Sequence, residues 1–266
     1  MRVLAFRLTG ARFDSSLRGM FPIRDHNPSG RTPFVVYALI AVNVLCFLGY
    51  LNLMGDERAL WRFFMEWGIV PRAITEGHGY SGLFTSIFLH AGFMHLAGNM
   101  LFLWIFGDNL EDQMGHLGFL LFYLVCGIGA GLVHVMTGPN SLVPTVGASG
   151  AIAGVMGGYL LMFPKAKVDI LLIFIIFFRV IAIPAWMMLA IWFGLQFLGS
   201  LGSGPDDGGI AYWAHTGGFL IGLVLTIPVW IRRGASKYWN RTHGHPPHPD
   251  ADYDFARSSV PRVRRK

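Results

Sequence analysis

The chain has 266 residues, of which 53% are hydrophobic and only 14% charged, and its mean hydropathy is +0.50. A water-soluble domain carries charge on about a quarter of its residues, so these proportions exclude an ordinary soluble fold and point to a bilayer as solvent. The net charge of +6 does not mark a nucleic-acid binder, because the basic residues gather at the two ends of the chain, a topological pattern.

Residues 1–34 are polar, basic and punctuated by Pro and Gly, without the apolar core and cleavage pattern of a signal peptide. Val35 to Met54 is uncharged and long enough to span a bilayer as a helix. Residues 55–89 mix charges with Trp61, Phe63, Phe64 and Trp67; the segment is too polar to span and reads as lying in the membrane interface. A second span runs from Gly92 to Gly107 and stops at Asp108, Glu111 and Asp112. A third runs from Leu117 to Met136, within a stretch to Pro164 that holds no Asp, Glu, Lys or Arg. Residues 137–145 are a Pro/Asn/Gly break, after which Ala148 to Met162 forms a short fourth span rich in Gly and Ala. The apolar run that follows, within residues 168–183, is about 11 residues long, too short to cross, and reads as an interfacial or re-entrant piece. A fifth span covers Pro184 to Leu198, a Gly-rich loop holds Asp206 and Asp207, and a sixth span covers Ile210 to Ile231. The remainder, 233–266, is a basic tail whose His243, His245 and His248 read as solvated and mobile.

The expected fold is therefore all-α: a polytopic membrane helical bundle of six transmembrane helices over 35–232, flanked by the N-terminal segment 1–34 and the tail. With six spans and the N-terminus inside, every Lys and Arg except Arg58, Arg62 and Arg72 falls on the inner side. The positive-inside rule then places both termini in the cytoplasm and argues against a span at 168–183. Cys46 and Cys126 lie in apolar runs and read as packing residues.

Polar side chains at membrane depth are costly, so each asks for a function. His95 and Asn99 are four residues apart and share a helix face, with His90 just before that helix. They could be zinc ligands, buried groups bonded to backbone, or donors to an oxyanion; no metal-protease HExxH pattern is present. Ser149, between Gly147-Ala148 and Gly150, begins the fourth span; a serine there is either a helix cap or a nucleophile. His215 lies in the first turns of the sixth span. Gly150, Gly154 and Gly158 form one small-residue stripe and Ala214, Gly218 and Gly222 another. Such stripes let helix backbones approach closely, which would bring Ser149 to the imidazole of His215. Ser149, His95, Asn99 and His215 all begin spans entered from the outer side, so they share one shallow depth.

These residues resemble the rhomboid family of intramembrane serine proteases, of bacterial type. The resemblance rests on HAGFMHLAGNM at 90–100, GDNLEDQMG at 107–115, VPTVGASGAIAG at 143–154 and AHTGGFLIG at 214–222, with FPIRDHNPSGRTP at 21–33 resembling the cytoplasmic lead-in of bacterial members. It implies a Ser149 nucleophile and a His215 general base and acid. It also implies an oxyanion hole from Asn99, His95 and the Ser149 backbone N–H, with His90, Gly147 and Gly150 in support. It implies no cofactor and no metal, and substrates that are transmembrane proteins met within membrane lipid. It gives Glu111 and Gly115 a structural role and Asp206 and Asp207 none. Two positions depart from the family pattern: Ser81-Gly82 replaces a Trp-Arg pair, and Ala153 replaces a Tyr that stacks on the catalytic His. The alternative reading is a non-catalytic rhomboid-like protein that binds client transmembrane helices.

Overall fold

The protein is seen in a computed structural model that describes residues 20–27, 29–174, 177–202, 204 and 210–247. Asp206, Asp207 and His248 lie outside the described residues.

Each of the six expected spans coincides with a helix: α1 (Phe34–Gly49), α5 (Phe93–Met114), α6 (His116–Thr137), α7 (Ser149–Met162), α8 (Ala185–Gly202) and α9 (Tyr212–Arg233). Between α1 and α5 lie three shorter helices: α2 (Glu57–Trp67), α3 (Pro71–Thr75) and α4 (Gly82–Thr85). α6, α8 and α9 are long and apolar enough to cross a membrane by themselves, and α5 meets the Gly82–Phe88 helical segment at a 90° bend. The bend falls at His90-Ala91-Gly92. α1 and α7 are apolar but shorter. A 14-residue helix rises only about 21 Å, less than a hydrocarbon core of about 30 Å. α7 tolerates this because protein surrounds it: ten consecutive residues from Gly150 to Tyr159 are buried.

α5 continues two turns past the expected stop at Gly107. The charges that argued for a stop are satisfied instead by backbone. The Glu111 carboxylate, 2% exposed, accepts the Val35 and Val36 N–H groups at 3.0 and 2.9 Å, capping the start of α1. Those N–H groups have no partner inside α1, and its dipole favours an anion there. Asp108 accepts from the Ser29 N–H and Asp112 from the Gly30 N–H.

Residues 168–183, expected to be an interfacial or re-entrant piece that does not cross, add a small sheet to an otherwise mostly helical chain. They form a hairpin, β2 (Lys167–Phe174) and β3 (Phe177–Pro184), which pairs antiparallel with β1 (Met20–Asp25) in the order β1-β2-β3. The run is rich in Val, Ile and Phe, which favour strands, and at eight residues each the strands are too short to cross as helix. Asp169 is paired with His26 at 2.6 Å. The tail also departs from expectation. α10 (Ser236–Thr242) packs back onto the C-terminal end of α7, with Tyr238 buried, the Trp239 indole donating to the Leu161 carbonyl at 3.0 Å, and the Lys165 N–H donating to the Gly244 carbonyl at 2.9 Å. Two aromatic residues in a short basic segment are enough to seat it.

Buried Asp25 makes this end of the bundle pH-sensitive. Its carboxylate takes hydrogen bonds from Asn109 and the Tyr159 hydroxyl at 2.9 and 3.0 Å. Burial first, and then the charge of Asp108, push its pKa up from 3.8 to about 8. Between those values the native chain keeps a proton that the unfolded chain has released. Each rise in pH through that window therefore lowers stability, and the contribution is gone above about 8. The melting temperature in detergent should fall across this range in the wild type and less steeply in Asp25→Asn, which keeps the Asp108 carboxyl; equal slopes would show that Asp25 does not titrate there.

Candidate active site

Close packing of α7 on α9 sets the site. A methyl group at Gly218 would sit 2.2 Å from the Gly150 carbonyl oxygen, and one at Gly222 2.0 Å from that of Gly154. The two small-residue stripes thus face each other backbone to backbone, as their spacing implied. Gly157 joins the contact, since a methyl group there would sit 2.1 Å from the Phe219 carbonyl oxygen.

This approach puts the start of α7 beside the start of α9. The Ser149 hydroxyl lies 2.7 Å from His215 Nε2, and Nδ1 of the same ring lies 2.8 Å from Gln196 Oε1 on α8. Ser149 is the first residue of α7 and Ala148 is its N-cap, so Ser149 does not stand in the capping position. Both Ser149 and His215 are half-buried. Trp192, also on α8, tilts over the imidazole with ring centroids 6.0 Å apart. An aromatic ring thus stands beside His215 although position 153 is Ala.

The loop before Ser149 is held from several sides. Thr145 pairs with Ile69 as an antiparallel bridge, the Gly147 N–H donates to the Ser86 carbonyl at 2.9 Å, and the Thr145 hydroxyl lies 2.8 Å from His134 Nε2 on α6. Gly147 has φ +142°, a region open to glycine, and a Cβ there would meet the His95 ring at 2.9 Å. The segment between α1 and α5 is therefore a support for this loop. Within it, Gly82 lies against the Gly68 carbonyl so closely that a Cβ would come within 2.2 Å, and the Thr85 hydroxyl donates to the Trp67 carbonyl at 2.5 Å. Backbone contact thus anchors the outer loop where Ser81-Gly82 departs from the family pattern.

Of the other expected site residues, His95 lies against Gly147, two residues before Ser149, and its Nδ1 accepts the Ala91 N–H at 3.3 Å. Asn99 sits one turn further along the same helix, 7% exposed, with its amide donating to the His95 carbonyl at 3.0 Å. His90 is fully buried, its ring edge-on to His95 at 5.1 Å, and its backbone N–H and carbonyl both bond the Tyr50 hydroxyl. It ties the bend before α5 to the end of α1. Gly150 abuts Ala130 of α6. Gln196, Trp192 and His134 were not singled out from the sequence. The signal for Gln196 was available: it is an amide inside an otherwise apolar span, and a polar group at that depth needs a reason.

The arrangement offers a hydroxyl paired with an imidazole at one end of a helical bundle, next to a helix N-terminus. That combination serves acyl transfer. A sequence profile described as the Rhomboid domain matches residues 77–232. Among relatives, "Rhomboid protein 1, mitochondrial" of Saccharomyces cerevisiae is 29% identical over 199 residues, 71% of this chain and 51% of that protein. "Putative rhomboid protease YdcA" of Bacillus subtilis is 45% identical over 128 residues, 48% of this chain and 62% of that protein. "Rhomboid protease GluP" of the same bacterium is 34% identical over 128 residues, 48% of this chain and 24% of that protein. The chain spans about half the length of the yeast relative and less than two thirds of either bacterial one.

Proposed function

The chain belongs to the rhomboid family, and from that premise we propose that this integral membrane protein is an intramembrane serine endopeptidase working through a Ser149–His215 dyad. The observation that carries the proposal is the 2.7 Å approach of the Ser149 hydroxyl to His215 Nε2. In this reading Nε2 takes the hydroxyl proton as Ser149 attacks a peptide carbonyl, and returns it to the leaving amine; water then repeats the sequence on the acyl-enzyme. The Ser149 N–H belongs to the first turn of α7, where N–H groups have no partner within the helix, and in this reading it donates to the oxyanion. His95 and Asn99 are the side-chain donors that complete the hole.

The substrates are transmembrane or juxtamembrane segments of other membrane proteins. A regular helix keeps its carbonyls hydrogen-bonded, so cleavage favours segments with weak helix formers near the outer face. In this reading the membrane domain is 35–232 and both termini are cytoplasmic, an assignment that rests on the basic-residue bias. The relatives' names place them in mitochondria as well as in a bacterium's complement, so the bacterial cytoplasmic membrane is part of the proposal only.

The test is direct. Purified protein in detergent is incubated with a single-span model substrate, beside Ser149→Ala. Cleavage by the wild type alone supports the proposal. A wild type that binds the substrate segment and never cuts it overturns the proposal in favour of a non-catalytic client-binding protein.

The oxyanion assignment makes its own expectation. Asn99→Ala should lower kcat by on the order of 10² to 10³ while leaving the melting temperature close to wild type, because among the described residues the amide bonds a carbonyl of its own helix. A large drop in melting temperature that accounts for the lost turnover would make Asn99 a structural amide instead.

A further inference from the structure

The imidazole of His215 is held on both nitrogens, and the proposed dyad uses only one of them. Nε2 faces the Ser149 hydroxyl and Nδ1 faces Gln196 Oε1 at 2.8 Å. For Nε2 to take a proton from serine, its lone pair must be free, so the ring proton of the neutral imidazole must sit on Nδ1. An N–H at Nδ1 needs an acceptor, and the carbonyl oxygen of the Gln196 amide supplies it. The amide is not a stray contact. Trp192, Gln196 and Ser200 recur every four residues and so line one stripe of α8. Trp192 covers the His215 ring, Gln196 meets its Nδ1, and the Ser200 hydroxyl pairs with Thr216, the next residue of α9, at 3.0 Å. Ser200 also donates to the Gln196 carbonyl at 2.9 Å.

We propose that Gln196 is a positioning residue that holds His215 in the one neutral tautomer able to deprotonate Ser149. The inference rests on the serine-protease reading and extends it from a dyad to an oriented trio with an uncharged third member. A carboxylate would orient the ring equally well, but it is costly at membrane depth and stabilises the imidazolium, which cannot act as base. An amide fixes the tautomer without adding charge. The other titratable side chains near enough to couple to His215 are His95 on α5 and His134 on α6.

The test compares wild type, Gln196→Leu and Gln196→Glu as full-length protein in detergent, with His215→Ala to assign the His215 signals. Nitrogen-15 spectra of histidine-labelled protein should show His215 protonated on Nδ1 in the wild type and as a tautomer mixture in Gln196→Leu. Gln196→Leu should lose on the order of 10- to 100-fold in kcat with KM little changed, the scale of one buried hydrogen bond. Gln196→Glu restores an acceptor, so it should recover most of kcat and move the acidic limb of the pH–rate profile up by about a unit or more. Unchanged tautomer signals in Gln196→Leu overturn the proposal. So does a turnover loss in both variants that matches only their loss of folded protein. If the wild type does not cleave at all, the protease reading fails, and the nitrogen-15 spectra still decide whether Gln196 selects the tautomer.

Discussion

Ser149→Ala and His215→Ala should each remove essentially all cleavage, a loss on the order of 10⁴- to 10⁶-fold, and the double variant should be little worse than either single one. The hydroxyl and Nε2 are 2.7 Å apart, and neither is useful without the other. An alcohol is a weak nucleophile near neutral pH until a base takes its proton, and His215 is the group placed to do so. Once one partner is gone, the second substitution has little left to remove. The measurement is turnover of a single-span substrate, with fluorophosphonate labelling of Ser149 as a second readout. Labelling should vanish in Ser149→Ala and fall steeply in His215→Ala. Near-normal turnover in either single variant would end the assignment. The expected loss is chemical, so melting temperatures should stay close to wild type.

The second large effect falls on the fold. Gly222→Leu should either prevent accumulation of folded protein or lower its stability by about 3 kcal/mol or more, the upper end of the overpacking range. A Cβ at Gly222 would lie 2.0 Å from the Gly154 carbonyl oxygen and 2.4 Å from the Gly154 carbonyl carbon. The obstacle is backbone inside a helix, which cannot rotate aside as a side chain can. α7 and α9 must separate to admit even a methyl group, so Gly222→Ala should already be impaired. Separation there also draws Ser149 from His215, so labelling of Ser149 should fall in whatever protein remains folded. Leu220→Ala is the control, since that neighbouring residue is exposed and should be nearly silent. A melting curve for Gly222→Leu that overlays the wild type would show that the helices do not cross at this point.

Some of this was legible in the residues alone. Each of the six helices matches an apolar run, because a bilayer demands length and apolarity from every crossing segment. Ser149 and His215 could be paired before any coordinates, because glycines at four-residue spacing on two spans leave few other ways for those spans to pack. Their shared depth followed from counting spans. The helix of α5 outlasts the apolar run that ends at Gly107, because Glu111 beyond it is buried and satisfied by the first N–H groups of α1.

What only the tertiary structure decided are the contacts between residues far apart in sequence with no periodicity to announce them. The hairpin of β2 and β3 is one. Its apolar run matches neither the helical nor the alternating pattern, and its pairing with β1 joins segments well over a hundred residues apart. The seating of α10 is another, since Tyr238 and Trp239 stand in a basic stretch that by composition looks solvated. The third is the far side of His215. The sequence by itself determined which residues carry the candidate chemistry, because those residues are too costly in a bilayer to be there without cause. It did not determine which way the imidazole faces. That depends on the rotation of α8 about its own axis, which brings Trp192 and Gln196 to the ring. An apolar helix in lipid has no hydrophobic face to set that rotation, so it follows from packing.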